Sequence, residues 1–165
     1  MFYVTKDLEE AAISHRLGNG YPHKCLNLHG HNYHFQVTIR SEHLDRYGMV
    51  IDFGTIKKLF SDWIQKNWDH ATLVSKSDIT LLNFLQLEEQ RFYTFPAYVN
   101  TTAEYMSKYL FKKFTTLMND AIAKAVGDSI NDKEKTQPPL CNCVELVEVK
   151  VWETKSSVAT YREES

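Results

Sequence analysis

Hydrophobic and polar positions change their period along the chain, and each change marks a new kind of element. Near the N-terminus Tyr3, Ala11 and Ile13 fall on odd positions around an acidic stretch, which predicts an interrupted strand over residues 2–16. From His29 to Ile39 the alternation becomes strict. His29, His31, Tyr33, Phe35, Val37 and Ile39 share one parity, and the residues between them are small or polar, as in a half-buried strand. A turn at Asp45–Gly48 follows. Then Phe53, Ile56, Leu59, Phe60, Trp63 and Ile64 take helical spacing behind Asp52, a suitable N-cap. A second helix is expected from Thr101, where Thr101-Thr102-Ala103-Glu104 has the form of a capping box. Met106, Leu110, Phe114, Leu117 and Ala121 continue one face, and Gly127 suits the stop. Val147, Val149 and Val151 then alternate with polar neighbours, and a hairpin through Thr154–Ser157 returns as a strand near Val158–Arg162.

Two stretches fit this scheme less well. Leu73–Tyr98 combines a short helix over Asp78–Glu89 with the aromatic segment RFYTFPAY, and Asp128–Cys143, with Pro138-Pro139, reads as an exposed loop. The resulting order, β-β-α-α-β-β, predicts an α+β domain with an antiparallel sheet.

Composition narrows the function classes. A length of 165 residues with 43% hydrophobic content supports one domain, 1–165, with a real core. The net charge of −2 disfavours a nucleic-acid partner, which calls for a basic surface. No apolar run suits a membrane, and the N-terminus lacks the pattern of a signal peptide. Three cysteines, Cys25, Cys141 and Cys143, cannot close a disulfide framework among themselves. A reduced, cytoplasmic protein is the expectation.

Candidate chemistry begins with histidine. Five of the seven histidines lie between positions 15 and 34. In His29-Gly30-His31 the two imidazoles project from one strand face, about 6–7 Å apart, a separation that lets both reach one metal ion. His15 is the natural third ligand if the first two strands pair, and three imidazoles with an open fourth position describe a catalytic zinc site. His34 has the opposite parity and is not expected to join them.

Cys25, beside His23 and Lys24, can serve as ligand, base, nucleophile or ordinary buried thiol; its cationic neighbours are expected to favour the thiolate. Asp69-His70 is an acid–base candidate, since a carboxylate on an imidazole fixes its tautomer. Glu153 shares the parity of Val147, Val149 and Val151, so its carboxylate needs a partner: a ligand's N–H edge or a neighbouring lysine. Glu104 already has a structural role in the cap.

Taken together, Ser14-His15-Arg16, His23-Lys24-Cys25, His29-Gly30-His31-Asn32-Tyr33, Gly48-Met49-Val50-Ile51-Asp52-Phe53, Asp69-His70, Thr101-Thr102-x-Glu104 and Trp152-Glu153-Thr154 resemble the 6-pyruvoyltetrahydropterin synthase / 6-carboxytetrahydropterin synthase family, in its order and over most of the chain. The resemblance implies the tunnelling fold: a four-stranded antiparallel sheet with two helices on one face, joined edge to edge into the barrel of a homo-oligomer, a trimer or dimer of trimers with sites at subunit interfaces. It implies zinc on His15, His29 and His31, Cys25 as general base, and Asp69 with His70 as a second proton-transfer group supplied by the neighbouring subunit. Glu153, with Thr101 and Thr102, would hold the pterin. Arg16 and Lys24 would meet the triphosphate of 7,8-dihydroneopterin triphosphate. The three-residue gap from Cys25 to His29 resembles the bacterial queuosine-pathway type, which forms 6-carboxytetrahydropterin; pyruvoyl formation is the alternative, and a non-catalytic pterin- or purine-binding protein the alternative of another class. Against the compact family pattern, residues 73–99 and 128–143 read as insertions, and Cys141-x-Cys143 matches no family position.

Overall fold

The structure, a computed structural model, describes residues 1–18, 20–131 and 143–163. The elements run β1 (Phe2–Asp7), β2 (Ala11–His15), β3 (His29–Ser41), α1 (Phe53–Ile56), a π turn (Lys57–Ser61) leading into α2 (Asp62–Asn67), β4 (Ala71–Ser75), α3 (Ile79–Leu87), β5 (Phe92–Phe95), α4 (Ala103–Asn131), β6 (Val144–Thr154) and β7 (Ser157–Tyr161). Asp52 caps the first helix, its side chain accepting from the Thr55 amide, and Asp78 caps α3 through Leu81.

β3 organises the sheet. One of its edges pairs antiparallel with β1 over Phe2–Asp7 and with β2 over Ala11–His15, so the interrupted N-terminal strand lies along a single long partner. Its other edge pairs antiparallel with β6, which pairs with β7. The sheet does not stop at these four rows. β4 adds parallel to β2, and β5 adds parallel to β4, giving a seven-stranded mixed sheet. The expected wholly antiparallel four-stranded sheet is therefore too small, and the order contains an extra β4-α3-β5 unit over 71–95, most of it within 73–99. β4 escapes the alternation test because Ala71, Thr72, Leu73 and Val74 are all buried; an internal parallel strand covered on both faces has no polar side to alternate with.

Three local expectations also change. α4 begins at Ala103, with Thr102 Oγ1 accepting from the Tyr105 amide at 3.3 Å, because the Thr101 hydroxyl is engaged elsewhere. α4 passes through Gly127 and reaches Asn131; one glycine costs a helix only about 1 kcal/mol. The remainder of the expected loop, 132–142, including Cys141, lies outside the described residues. Finally, Val147 does not share the buried face of Val149 and Val151. The β3–β6 register shifts beside it, so Val144 and Leu146 point inward before the irregularity and Val149 and Val151 after it.

The core lies between the sheet and the helices. Phe35, Val37 and Ile39 of β3 meet Ile56, Phe60 and Ile64 and the α4 residues Met106, Leu110 and Phe114, all essentially without solvent exposure. The Phe60 and Phe114 rings stack 4.3 Å apart. The aromatic segment joins this core: Tyr93 and Phe95 of β5 pack on Trp68 and Tyr109. Toward the N-terminal end of β3 the same inward parity continues past Tyr33 to His31 and His29, where apolar packing gives way to imidazoles.

Candidate metal centre

Pairing of β2 with β3 sets His15 directly opposite His29. The three inward imidazoles crowd together, with ring centroids 4.6 Å apart for His15–His29, 5.5 Å for His15–His31 and 5.1 Å for His29–His31. Gly30, between the two β3 ligands, has a steric reason: a Cβ there would lie 3.1 Å from the Ile13 carbonyl oxygen of β2. The expected third ligand is thus brought to the pair, and His34 faces away, toward Asp7 and Trp152.

Ring orientation is fixed from behind. The buried His15 Nδ1 donates to the Thr101 carbonyl at 2.8 Å, with the Thr101 hydroxyl at 3.2 Å, and His29 Nδ1 donates to the Asn27 carbonyl at 2.8 Å. Both bonds leave Nε2 as the lone-pair nitrogen facing the centre. His29 Nε2 and His31 Nε2 are buried without hydrogen-bond partners. Glu153 Oε1 lies 3.1 Å from His31 Nε2 and 3.7 Å from His15 Nε2, without an aligned hydrogen bond to either. One donor atom from each of His15, His29, His31 and Glu153 falls within 4.8 Å of the others. Convergent imidazole nitrogens, two of them without a partner, beside a carboxylate are what a divalent cation would satisfy. The set fits a metal.

Burial pushes His15 down to about 4, against the supporting bond to Thr101, and the charges of His29 and His31 add to the effect. A neutral His15 is the form that ligates. Tyr33, two residues beyond His31, was not anticipated as a site residue. Its fully buried hydroxyl lies 3.1 Å from His15 Nε2. Burial raises its phenol, reinforced by the Glu153 carboxylate and by Cys25. Its parity with His29 and His31 was the available signal.

The other candidates are distributed around this centre. Cys25 sits half-buried in a 3-10 turn, Lys24–Leu26, with Lys24 exposed. Thr101 is buried and Thr102 half-buried. Arg16 makes a two-pronged ion pair with Asp78, at 2.7 and 2.6 Å, which lowers the Asp78 carboxyl. Asp69 Oδ2 accepts from His70 Nδ1 at 2.8 Å while Asp69 Oδ1 accepts from the Ala12 amide. Burial works against ionisation of Asp69, but these bonds outweigh it and hold the carboxyl below its ordinary value. His70 takes a left-handed backbone, φ 53°, and its side chain is 78% exposed. Among the described residues, no hydrogen bond, ion pair or ring contact joins Asp69 or His70 to the imidazole cluster or to Cys25.

The sequence matches a family model described as 6-pyruvoyl tetrahydropterin synthase over residues 3–164. A 6-carboxy-5,6,7,8-tetrahydropterin synthase of Rickettsia bellii is 40% identical over 78 residues, 47% of this chain and 55% of that protein; the chain spans about half the length of such Rickettsia relatives. The enzyme of that name from Haemophilus influenzae is 27% identical over an alignment covering 99% of this chain and 100% of its own. An uncharacterized protein of Wolinella succinogenes has the same fold, with a TM-score of 0.70 at 20% identity over 99% of this chain and 98% of that one.

Proposed function

The chain belongs to the 6-pyruvoyl tetrahydropterin synthase family, and from that premise we propose that it is a zinc-dependent 6-carboxy-5,6,7,8-tetrahydropterin synthase. It would convert 7,8-dihydroneopterin triphosphate to 6-carboxytetrahydropterin with release of acetaldehyde and triphosphate. The observation that carries this reading is the convergence of His15, His29, His31 and Glu153 in a chain aligned along its whole length with a synthase of that name.

His15, His29 and His31 would hold the metal, which supplies Lewis-acid polarisation of a substrate oxygen. Cys25 acts as base toward a side-chain proton. Asp69 fixes Nδ1 of His70, leaving Nε2 as the nitrogen that moves a proton at the exposed surface. In this reading the protein is a homo-oligomer, a trimer or dimer of trimers, in which Asp69 and His70 serve a neighbouring subunit's site. Glu153 is 31% exposed, enough to meet a pterin N–H edge, with Thr101 and Thr102 completing the pocket. Lys24 and Arg16 are the cations for the triphosphate; Arg16 must share its guanidinium with Asp78. In this reading residues 73–99 and 128–143 are additions to a family core within the single domain 1–165, and the protein works in the cytoplasm.

Incubating the zinc-loaded protein with 7,8-dihydroneopterin triphosphate and weighing the product tests the assignment. The carboxy product is expected; a pyruvoyl product selects the alternative chemistry. Ligand binding without turnover would leave a non-catalytic pterin-binding protein and overturn the proposal. Cys25→Ala should abolish turnover and keep the metal.

A further inference from the structure

The three residues that follow the ligand His15 are each tied to a different part of the molecule. Arg16 donates from Nε and Nη2 to the two carboxylate oxygens of Asp78. The Leu17 amide donates to the Cys25 carbonyl at 2.8 Å. The Gly18 amide donates to Asn100 Oδ1 at 2.9 Å. The middle bond closes the base of the loop that carries Cys25, so the place of Cys25 follows from the place of residues 16–18. The two outer bonds both come from the connection between β4 and α4.

Asn100 also adjoins Thr101, whose carbonyl orients His15. One short segment therefore grips a metal ligand with one residue and the stem of the Cys25 loop with the preceding one. The Leu17–Cys25 bond thus ties the loop of the thiol to a residue only two positions beyond the ligand His15.

We propose that Asn100 and Asp78 are positioning residues that hold the Cys25 loop in register with the imidazole cluster. Both act through the residues they hold, Arg16 and Gly18. The role deepens the proposed reading of Cys25 as the base and rests on it. It also gives the β4-α3-β5 unit a purpose, since Asp78 of that unit clamps the stem through Arg16. The chemistry suits such a clamp. A bidentate guanidinium–carboxylate pair fixes both distance and plane, while an amide side chain on a backbone N–H fixes the next residue without adding charge.

The test uses the full-length protein and follows alkylation of Cys25 by iodoacetamide, resolved by mass on the Cys25 peptide so that Cys141 and Cys143 do not interfere. Asn100→Ala removes one tether. Asn100→Asp keeps the acceptor for the Gly18 amide. Asp78→Asn keeps an oxygen for the Leu81 amide that caps α3 but loses the ionic pair. The expected result is a change in Cys25 alkylation rate of about fivefold in Asn100→Ala, the scale of one lost hydrogen bond, with bound metal per chain unchanged and the rate restored in Asn100→Asp. Asp78→Asn should move the rate in the same direction. In turnover, kcat of Asn100→Ala should fall while KM stays within about twofold; Asp78→Asn is read by alkylation alone, because it also frees Arg16. Alkylation rates within about twofold of wild type in both Asn100→Ala and Asp78→Asn would overturn the proposal, as would changes accompanied by loss of metal, which mark general loosening. Absence of turnover in the wild-type protein would instead count against the proposed reaction and leave the alkylation result readable.

Discussion

Taking the metal-free protein from about pH 7 to about pH 4.5 should destabilise it mainly through one side chain, His15. Its imidazole is 2% exposed and its folded-state value is pushed from 6.5 down to about 4. The unfolded chain takes up a proton at this residue as the pH falls through 6.5; the folded chain resists until about 4. The stabilisation is complete above 6.5 and drains away between those values, and the whole gap corresponds to about 3 kcal/mol. Carboxylates held below their ordinary values, such as Asp69 and Asp78, lose their contributions only below about 4, so the windows separate. Urea denaturation of chelator-treated protein at several pH values reads the effect. Wild type should lose about 3 kcal/mol across the window, and His15→Gln, less stable at neutral pH, should show a much flatter dependence. Parallel curves for the two proteins would refute the argument, because the loss would then belong to other groups. Zinc-loaded protein should fall more steeply than metal-free protein, since protons then compete for every ligating imidazole.

Other substitutions separate packing, ligand support and chemistry. Tyr33→Phe should cost the metal-free protein about 1–3 kcal/mol by leaving His15 Nε2 without a partner, and less once zinc occupies that lone pair; equal losses in both states, measured by thermal melts, would contradict it. Phe114→Ala removes a ring stacked on Phe60 and should cost about 3–5 kcal/mol in urea unfolding, with a loss under about 1 kcal/mol counting against the described core. His70→Asn keeps a residue tolerant of the left-handed backbone and should leave stability within about 0.5 kcal/mol while lowering turnover about a hundredfold; unchanged turnover would remove His70 from the mechanism. Zinc at about one hundred times its Kd should add about 2.7 kcal/mol to the stability of the chelated protein, and His31→Ala should lose most of that gain.

The patterns that the sequence displayed most openly were those set by local geometry. β3 follows from its alternation, the first helix from Asp52 and its apolar spacing, and α3 from Asp78. Elements whose character depends on distant neighbours were harder to read. Ala71–Ser75 is a strand because β2 lies on one edge, β5 on the other, and both faces are covered; nothing within those five residues states this. Phe92–Phe95 is aromatic for the same reason, since Tyr93 and Phe95 pack on Trp68 and Tyr109. Pairs of valines suggested one continuous face for β6, but the shift opposite Thr38 and Ile39 breaks the parity at Val147, and such a shift leaves no signature in side-chain polarity.

The centre divides along the same line. His29 and His31 are legible because two residues along a strand share a face, and His15 because an antiparallel neighbour returns to the same level. Glu153 keeps the inward parity of Val149 and Val151, yet the β6–β7 register shifts between Trp152 and Thr154, which leaves it without a partner in β7 and its carboxylate turned to the imidazoles. What orients His15, by contrast, lies 86 residues away and is mainly a carbonyl: the Thr101 oxygen at 2.8 Å, with the hydroxyl farther off at 3.2 Å. A carbonyl carries no residue identity, so spacing and side-chain chemistry could not announce it. The same fact limits what Thr101 substitutions can do. Any residue that preserves the backbone path from Asn100 into α4 keeps the bond that fixes the His15 tautomer, so an effect of Thr101→Val on metal affinity would have to come from the weaker hydroxyl contact. A large loss of affinity in that variant, with the fold intact, would mean that the hydroxyl rather than the carbonyl holds the ring.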